Sequence, residues 1–227
     1  FPVLADPQSG LLSGTADRAR VLAAGSVLVD AGLLDTMTPE VVLRVGPPHL
    51  SKRLGEWLAA HPGIPQIHVD EDGWRDPGPT ASRAIRADAA LTLEAIAAAA
   101  GAPAPGDWPE AWQSADRTAA GAVASTIDGL PFPTEPGIAA AVGESLPDGA
   151  LLYVSSSMPI RDLALTFAPT DRDVRIAANR GANGIDGLLS SALGAAAAGE
   201  RPVVALCGDL SALHDLTALA AAARLAI

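Results

Sequence analysis

An α/β fold with parallel sheets is predicted, and three observations predict it. Short apolar runs that end in Gly or an acid alternate with stretches of helical periodicity, which is the grammar of a parallel sheet. In the C-terminal part the order of apolar strand, polar loop and helix start occurs three times. Among the 227 residues 49% are hydrophobic, enough for a sizeable buried core, yet only 4% are aromatic. Such a core is built from small aliphatic side chains and close helix packing.

Along the chain, FPVLAD is a short apolar run ended by an acid and Pro. SVLVDAG and EVVLRVG are β-branched runs ended by Gly, and IPQIHVD ends in an acid. All four read as strands. HLSKRLGEWLAAH reads as a helix with Leu50, Leu54, Trp57 and Leu58 on one face. From about Trp74 the composition shifts to Pro and Gly clusters around an Ala-rich helix, and DGLPFPTEP adds three prolines. This reads as a connector that closes one domain and enters the next near Phe132. The expected division is 1–80, a helical connector over 81–131, and 132–227.

The second series opens with the helix GIAAAVGESL and the strand ALLYVS. It continues with the loop SSMPIRD, a helix through LALTFA, the strand DVRIAA, the loop NRGANGIDG and the helix LLSSALGAAAAG. The strand PVVALCG, the loop DLSALHD and the helix LTALAAAARLA complete it. Ligands of parallel sheets bind at the carboxyl ends of the strands, where these three loops lie.

Composition excludes several function classes. The formal net charge of -11 disfavours nucleic-acid binding, which needs a concentrated basic surface. No apolar run is long enough for a membrane span, and the opening FPVLADPQSG has neither the basic region nor the cleavage pattern of a signal peptide. The single cysteine, Cys207, cannot form an internal disulfide and reads as a small buried hydrophobe, so a reducing cytoplasm is the expected compartment. Dinucleotide and P-loop glycine fingerprints are absent, as are Cys/His metal spacings and the glycines of a nucleophile elbow.

What remains is the chemistry of the three loops. The stretch AANRGANGIDG holds more polar and glycine residues than a change of direction requires. The first loop carries Ser155, Ser156, Ser157 and Arg161, the second Asn179, Arg180, Asn183 and Asp186, and the third Asp209 and Asp215. Helix N-termini favour an anion such as diphosphate, and Asp209 after the strand VVALC suits a hard cation. Each residue also has a plain structural reading. Arg161 and Arg180 fit surface arginines or ion pairs with Asp162 or Asp186, Asp209 fits a helix N-cap, and His214 fits a solvated or hydrogen-bonded helix residue. Ile185 in a polar glycine loop either plugs a core or touches a ligand.

SSSMPIRD, NRGANGIDGLLSSALG and CGDLSALHDLTAL, in this order and at these separations, resemble the diphosphate-binding domain of a thiamine diphosphate enzyme, and more narrowly the SEPHCHC synthase (MenD) family of menaquinone biosynthesis. Gly208, Asp209 and Leu210 stand where most thiamine enzymes have Gly-Asp-Gly, which makes the likeness specific. Upstream, RVGPPHLSKRLGEW resembles the family's middle domain. The resemblance implies a Rossmann-like parallel-sheet middle domain followed by part of a thiamine-diphosphate-binding fold. It implies thiamine diphosphate with magnesium or manganese as cofactors, decarboxylation of 2-oxoglutarate on the thiazolium carbon, and addition of the resulting carbanion to isochorismate.

Residue by residue, it implies that Arg161 and Arg180 bind substrate carboxylates and that Ser157 contacts the cofactor-bound intermediate. Ser156, Met158, Asn183, Gly184, Gly208 and Leu210 surround the cofactor, with Ile185 as its apolar wedge, while Asp209 is the metal ligand. Lys52 and Arg53 match a basic pair of the middle domain that reaches substrate. The family's paired Asn after Gly-Asp, its activating glutamate domain and the first middle-domain strand are not found in the chain, and Thr217 stands where Asn is frequent. The chain is therefore expected to be an internal piece of the enzyme, which acts as a homodimer or homotetramer with sites between subunits. Two alternatives stay open at this level: another thiamine carboligase or decarboxylase, or a non-enzymatic anion-binding regulatory module.

Overall fold

A computed structural model describes residues 1–101, 106–179, 184–199 and 201–225. In chain order these form β1 (Val3–Leu4), β2 (Val21–Leu22), α1 (Gly25–Asp30), α2 (Leu33–Thr36), β3 (Val42–Val45), α3 (Lys52–Ala60), β4 (Gln66–Val69), β5 (Arg83–Ile85), α4 (Ala89–Ala99) and α5 (Trp108–Gly129). They continue with α6 (Glu135–Ser145), β6 (Leu151–Val154), α7 (Met158–Thr166), β7 (Arg175–Ala178), α8 (Leu188–Ala198), β8 (Val203–Leu206), α9 (Asp209–His214) and α10 (Ala218–Leu225). Every strand pairing is parallel: β1 with β2, the order β3-β4-β5, and the order β7-β6-β8. The α/β class with helix-flanked parallel sheets is thus as predicted.

Two compact units emerge, one of Phe1–Gly25 with Trp112–Ile227 and one of Ser26–Ala111. They divide the chain at places other than its composition shifts, because residues 1–25 make their contacts with the C-terminal series. Ser13 illustrates this by donating its hydroxyl to the Val174 carbonyl at 2.6 Å.

In the first unit β6 is the central strand. Leu152 and Val154 on it are fully buried, and Ala139 of α6, Leu146 at its C-cap, and Ile160 and Leu163 of α7 are buried as well. The second unit has β4 at its centre, where Gln66 and His68, and Asp70 just after it, are buried. Buried polar groups require partners. Gln66 donates to the Leu58 carbonyl at 3.0 Å and accepts from Thr80 at 2.8 Å, while His68 Nε2 lies 2.9 Å from the Gly46 carbonyl oxygen. Arg75 grips both oxygens of Asp70 at 2.6 and 2.7 Å and holds that carboxyl below its ordinary range.

Four local expectations need correction. SVLVDAG is not a strand: Gly25–Asp30 is helical, and its buried residues Gly25, Leu28 and Val29 recur at helical spacing. The carboxylate of Asp116 on α5 accepts the amides of Ala23 and Ala24 at 3.1 and 2.8 Å. Those donors just before the helix would otherwise lack a partner. SSMPIRD and DLSALHD, both expected as loops, are largely helical, since α7 starts at Met158 and Asp209–His214 forms α9. The segment expected as a helical connector also carries β5, which adds to the β3-β4 sheet. By contrast α3 forms as predicted, with Trp57 and Leu58 buried and Ser51 capping the Leu54 amide at 3.1 Å.

Candidate functional site

The loops after β6, β7 and β8 share the carboxyl edge of one sheet, because the three strands are parallel and β6 lies between the others. Backbone and side-chain hydrogen bonds tie these loops together. Ser155 is fully buried at the end of β6, and the Gly208 amide after β8 donates to its hydroxyl at 3.4 Å. Ser156 donates to the Asn179 carbonyl at 2.9 Å, joining the first loop to the second. Asp186 of the second loop lies 3.2 Å from Nδ1 of His214 on α9.

The three helices at this edge, like α2, begin without a side-chain cap. Elsewhere Ser51, Asp88 and Thr134 cap α3, α4 and α6 with their side chains. At the edge, α7, α8 and α9 start from Ser157, Gly187 and Gly208 without a side-chain cap. The N-terminal amides of α8 are partly served from a distance, since Asp215 accepts the Ser190 amide at 2.6 Å and its hydroxyl at 3.0 Å. Ser157 adopts φ 73, a left-handed conformation that a residue with a side chain rarely takes. Such outliers cost about 1–3 kcal/mol and cluster where a site requires them.

The predicted residues fall as follows. Ser156 is half-buried, while Ser157, Met158 and Arg161 are exposed at the start of α7. Arg161 makes no ion pair or hydrogen bond with any described residue, so the pairing with Asp162 or Asp186 is not formed there. Asp162 instead is buried, and burial, with the charge of Glu135, raises its carboxyl above the ordinary range. Arg180 and Asn183 lie outside the described residues. Gly184 and Ile185 are half-buried, which makes Ile185 neither a fully enclosed core plug nor a surface residue.

Gly208 is the N-cap of α9, and Asp209 is the first helical residue. Its exposed carboxylate accepts the adjacent Leu210 amide at 2.8 Å, so Asp209 is not the N-cap. Around Gly208 an added Cβ would meet nothing within 4 Å, leaving open space beside its backbone. Leu210 is 71% exposed. In the other unit Lys52 and Arg53 occupy the first turn of α3; both are exposed, and Lys52 pairs with Glu56 at 3.2 Å. Cys207 is half-buried, and desolvation pushes its thiol up, as suits a structural residue.

Sequence reasoning missed Tyr153, whose hydroxyl donates to Asn179 Oδ1, and the remote cap from Asp215. Tyr153 carries a weak signal, as the lone tyrosine of the chain on an otherwise aliphatic strand. Nothing local marks the pairing of Asp215 with Ser190, 25 positions away.

No group of three or more His, Cys, Asp or Glu side chains among the described residues could hold a metal by itself. No helix among them is long and apolar enough to cross a membrane.

No family model matches the chain. Several curated proteins named 2-succinyl-5-enolpyruvyl-6-hydroxy-3-cyclohexene-1-carboxylate synthase do match it. The protein from Bacillus velezensis is 40% identical over 230 residues, covering 100% of this chain and 39% of the relative. That from Geobacillus thermodenitrificans is 40% identical over 228 residues, covering 98% and 38%. That from Chloroflexus aurantiacus is 40% identical over 227 residues, covering 98% and 39%. The chain thus spans about two fifths of the length of these relatives.

Proposed function

From the premise that the chain is homologous, end to end, to a stretch of the SEPHCHC synthases, we propose that it carries the diphosphate-binding edge of such an enzyme. The complete protein would join 2-oxoglutarate and isochorismate using thiamine diphosphate and magnesium or manganese. The observation that carries this reading is the set of three parallel-strand loops whose helices begin without side-chain caps. Asp215 and Asp209 accept the amides of Ser190 and Leu210, and the remaining first-turn amides with the positive end of the helix dipole suit a diphosphate.

The residues present fit such a group. Open space beside Gly208 admits a close approach to its backbone, and the exposed Asp209 carboxylate is a hard oxygen donor for a divalent cation. With one carboxylate from the described residues, the remaining ligands would come from diphosphate oxygens, water or other parts of the protein. When bound, thiamine diphosphate supplies the electron sink that permits loss of carbon dioxide from a 2-oxo acid.

The chain's own residues would then do the following. Arg161, exposed and without a described partner, binds a substrate carboxylate, and Arg180 takes the same role in the second loop. Ser157 offers a hydroxyl to the reacting substrate. Ser156, Met158, Asn183, Gly184 and Leu210 shape the cofactor's surroundings, and Ile185 supplies apolar contact. Lys52 and Arg53 are proposed as further cationic contacts to substrate in the complete protein. The product named for the relatives is a carboxylated cyclohexene bearing succinyl and enolpyruvyl groups. Anionic groups of that number call for cationic side chains, and within a chain of net charge -11 the exposed Arg161 supplies one at this edge.

The test is made on the complete protein. Carbon dioxide release from 2-oxoglutarate and consumption of isochorismate are expected to require thiamine diphosphate and a divalent metal, and Asp209→Ala is expected to abolish the metal dependence of cofactor affinity. Turnover independent of the cofactor, or metal-dependent affinity that survives Asp209→Ala, would remove this reading. Turnover of an aliphatic 2-oxo acid acceptor instead of isochorismate would redirect it to another thiamine carboligase.

A further inference from the structure

We propose that Asn179 is a positioning residue that clasps the end of β7 to Asp186, with Tyr153 orienting its amide and His214 anchoring Asp186 to α9. The inference rests on the functional reading above and deepens it. The chain of contacts is continuous. Tyr153 on β6 donates its hydroxyl to Asn179 Oδ1, which leaves the Asn179 amide nitrogen as a donor, and that nitrogen donates to the Asp186 carbonyl at 3.2 Å. The Asp186 carboxylate in turn lies 3.2 Å from His214 Nδ1. Ser156 completes the arrangement by donating to the Asn179 carbonyl at 2.9 Å.

Asn179 therefore bonds through its backbone carbonyl, its side-chain oxygen and its side-chain nitrogen to three different residues, on β6, in the loop after it and in the loop before α8. Its neighbours explain why that matters. Asp186 directly follows Ile185 and directly precedes Gly187, the N-cap of α8, while His214 closes the helix that Asp209 begins. Holding Asp186 from both sides sets the spacing between the apolar contact, the start of α8 and the carboxylate of α9. Pre-organising such a spacing lowers the ordering cost of binding without adding any contact to the ligand. A side chain acting in this way changes how much cofactor is needed more than it changes the rate once cofactor is bound.

The experiment uses the complete protein with Asn179→Asp, which keeps an acceptor for Tyr153 but removes the amide donor, and with His214→Leu and His214→Gln. One hydrogen bond corresponds to about threefold to tenfold in an equilibrium constant. Asn179→Asp is expected to raise the half-saturating thiamine diphosphate concentration by about that factor, with kcat at saturating cofactor changed by less. His214→Leu is expected to raise it about threefold, and His214→Gln, whose amide can still donate to Asp186, to restore it. An unchanged half-saturation in Asn179→Asp, a fall in kcat and thermal midpoint together without that shift, or a glutamine that behaves as leucine would each overturn the proposal.

Backbone hydrogen exchange over residues 184–191, measured without cofactor, separates this idea from the functional reading. Faster exchange in Asn179→Asp than in wild type supports the clasp even if the protein proves independent of thiamine diphosphate. Exchange identical to wild type overturns it.

Discussion

Replacing Arg161 by Ala isolates the proposed carboxylate contact from any effect on folding. Arg161 is exposed on the first turn of α7 and makes no ion pair or hydrogen bond with a described residue. Its removal therefore leaves no group among them unpartnered, and alanine is at least as good a helix former. The expected change in stability is within about 0.5 kcal/mol, the range of an ordinary surface substitution. A charge-assisted hydrogen bond to a substrate carboxylate is worth about 1.5–3 kcal/mol. That corresponds to a loss of about tenfold to over a hundredfold in kcat/KM. Arg161→Lys retains charge but loses the planar fork and should recover only part of the loss. Steady-state kinetics in both substrates, beside thermal unfolding of the same preparations, reads both quantities. Wild-type kcat/KM for both substrates in Arg161→Ala would refute the carboxylate assignment, and a large drop in thermal midpoint would refute the reasoning that Arg161 has no structural partner.

Ile185→Ala should cost less than the 2–5 kcal/mol typical of a fully enclosed aliphatic, because Ile185 is only half-buried; turnover should fall further than stability, which paired rate and midpoint measurements check. Asp162 is buried beside the charge of Glu135 and its carboxyl is raised, so the stability it confers is complete below its unfolded pKa and is lost as pH rises through the folded one. Asp162→Asn should thus stabilise the protein relative to wild type more at pH 7 than at pH 3, and denaturant midpoints across that range that run parallel would contradict this. Arg172 donates to the carbonyls of Gly143, Glu144 and Leu146 at the end of α6, with 3.2 Å and 2.8 Å to the first two. Arg172→Ala should destabilise by about 2–4 kcal/mol, combining charged hydrogen bonds with a favourable helix-dipole contact, and denaturant unfolding that matches wild type would exclude that cap.

Much of the candidate site was legible because its signals are local. A strand that ends in a Gly-rich polar loop and then a helix pattern needs only adjacent residues to be read, so β6, β7, β8 and α8 were legible, whereas α9 and the first turn of α7 fell on stretches expected as loops. The run NRGANGIDG and the Gly208-Asp209-Leu210 triplet also pointed to the family that whole-chain similarity supports. Helix α3 was readable for the same reason, since its cap and buried face lie within a dozen residues.

Tertiary contacts decided the rest. Four β-branched or apolar residues in SVLVDAG favour a strand locally, yet the carboxylate of Asp116, more than ninety positions away, takes the donors at Ala23 and Ala24 and the segment becomes α1. Arg161 and Asp162 are neighbours of opposite charge that local reasoning would pair; instead one is exposed and the other buried, because a helix turns successive side chains by about 100° and only one faces α6. It was the approach of α9 that brought His214 to Asp186. By itself the sequence determined where β6, β7, β8 and the turns after them lie along the chain, since an apolar run and the polar stretch that ends it are local properties. Which of them grip one another was decided only when β6 settled between β7 and β8, because hydrogen bonds between distant residues exist only once the sheet brings their loops within reach.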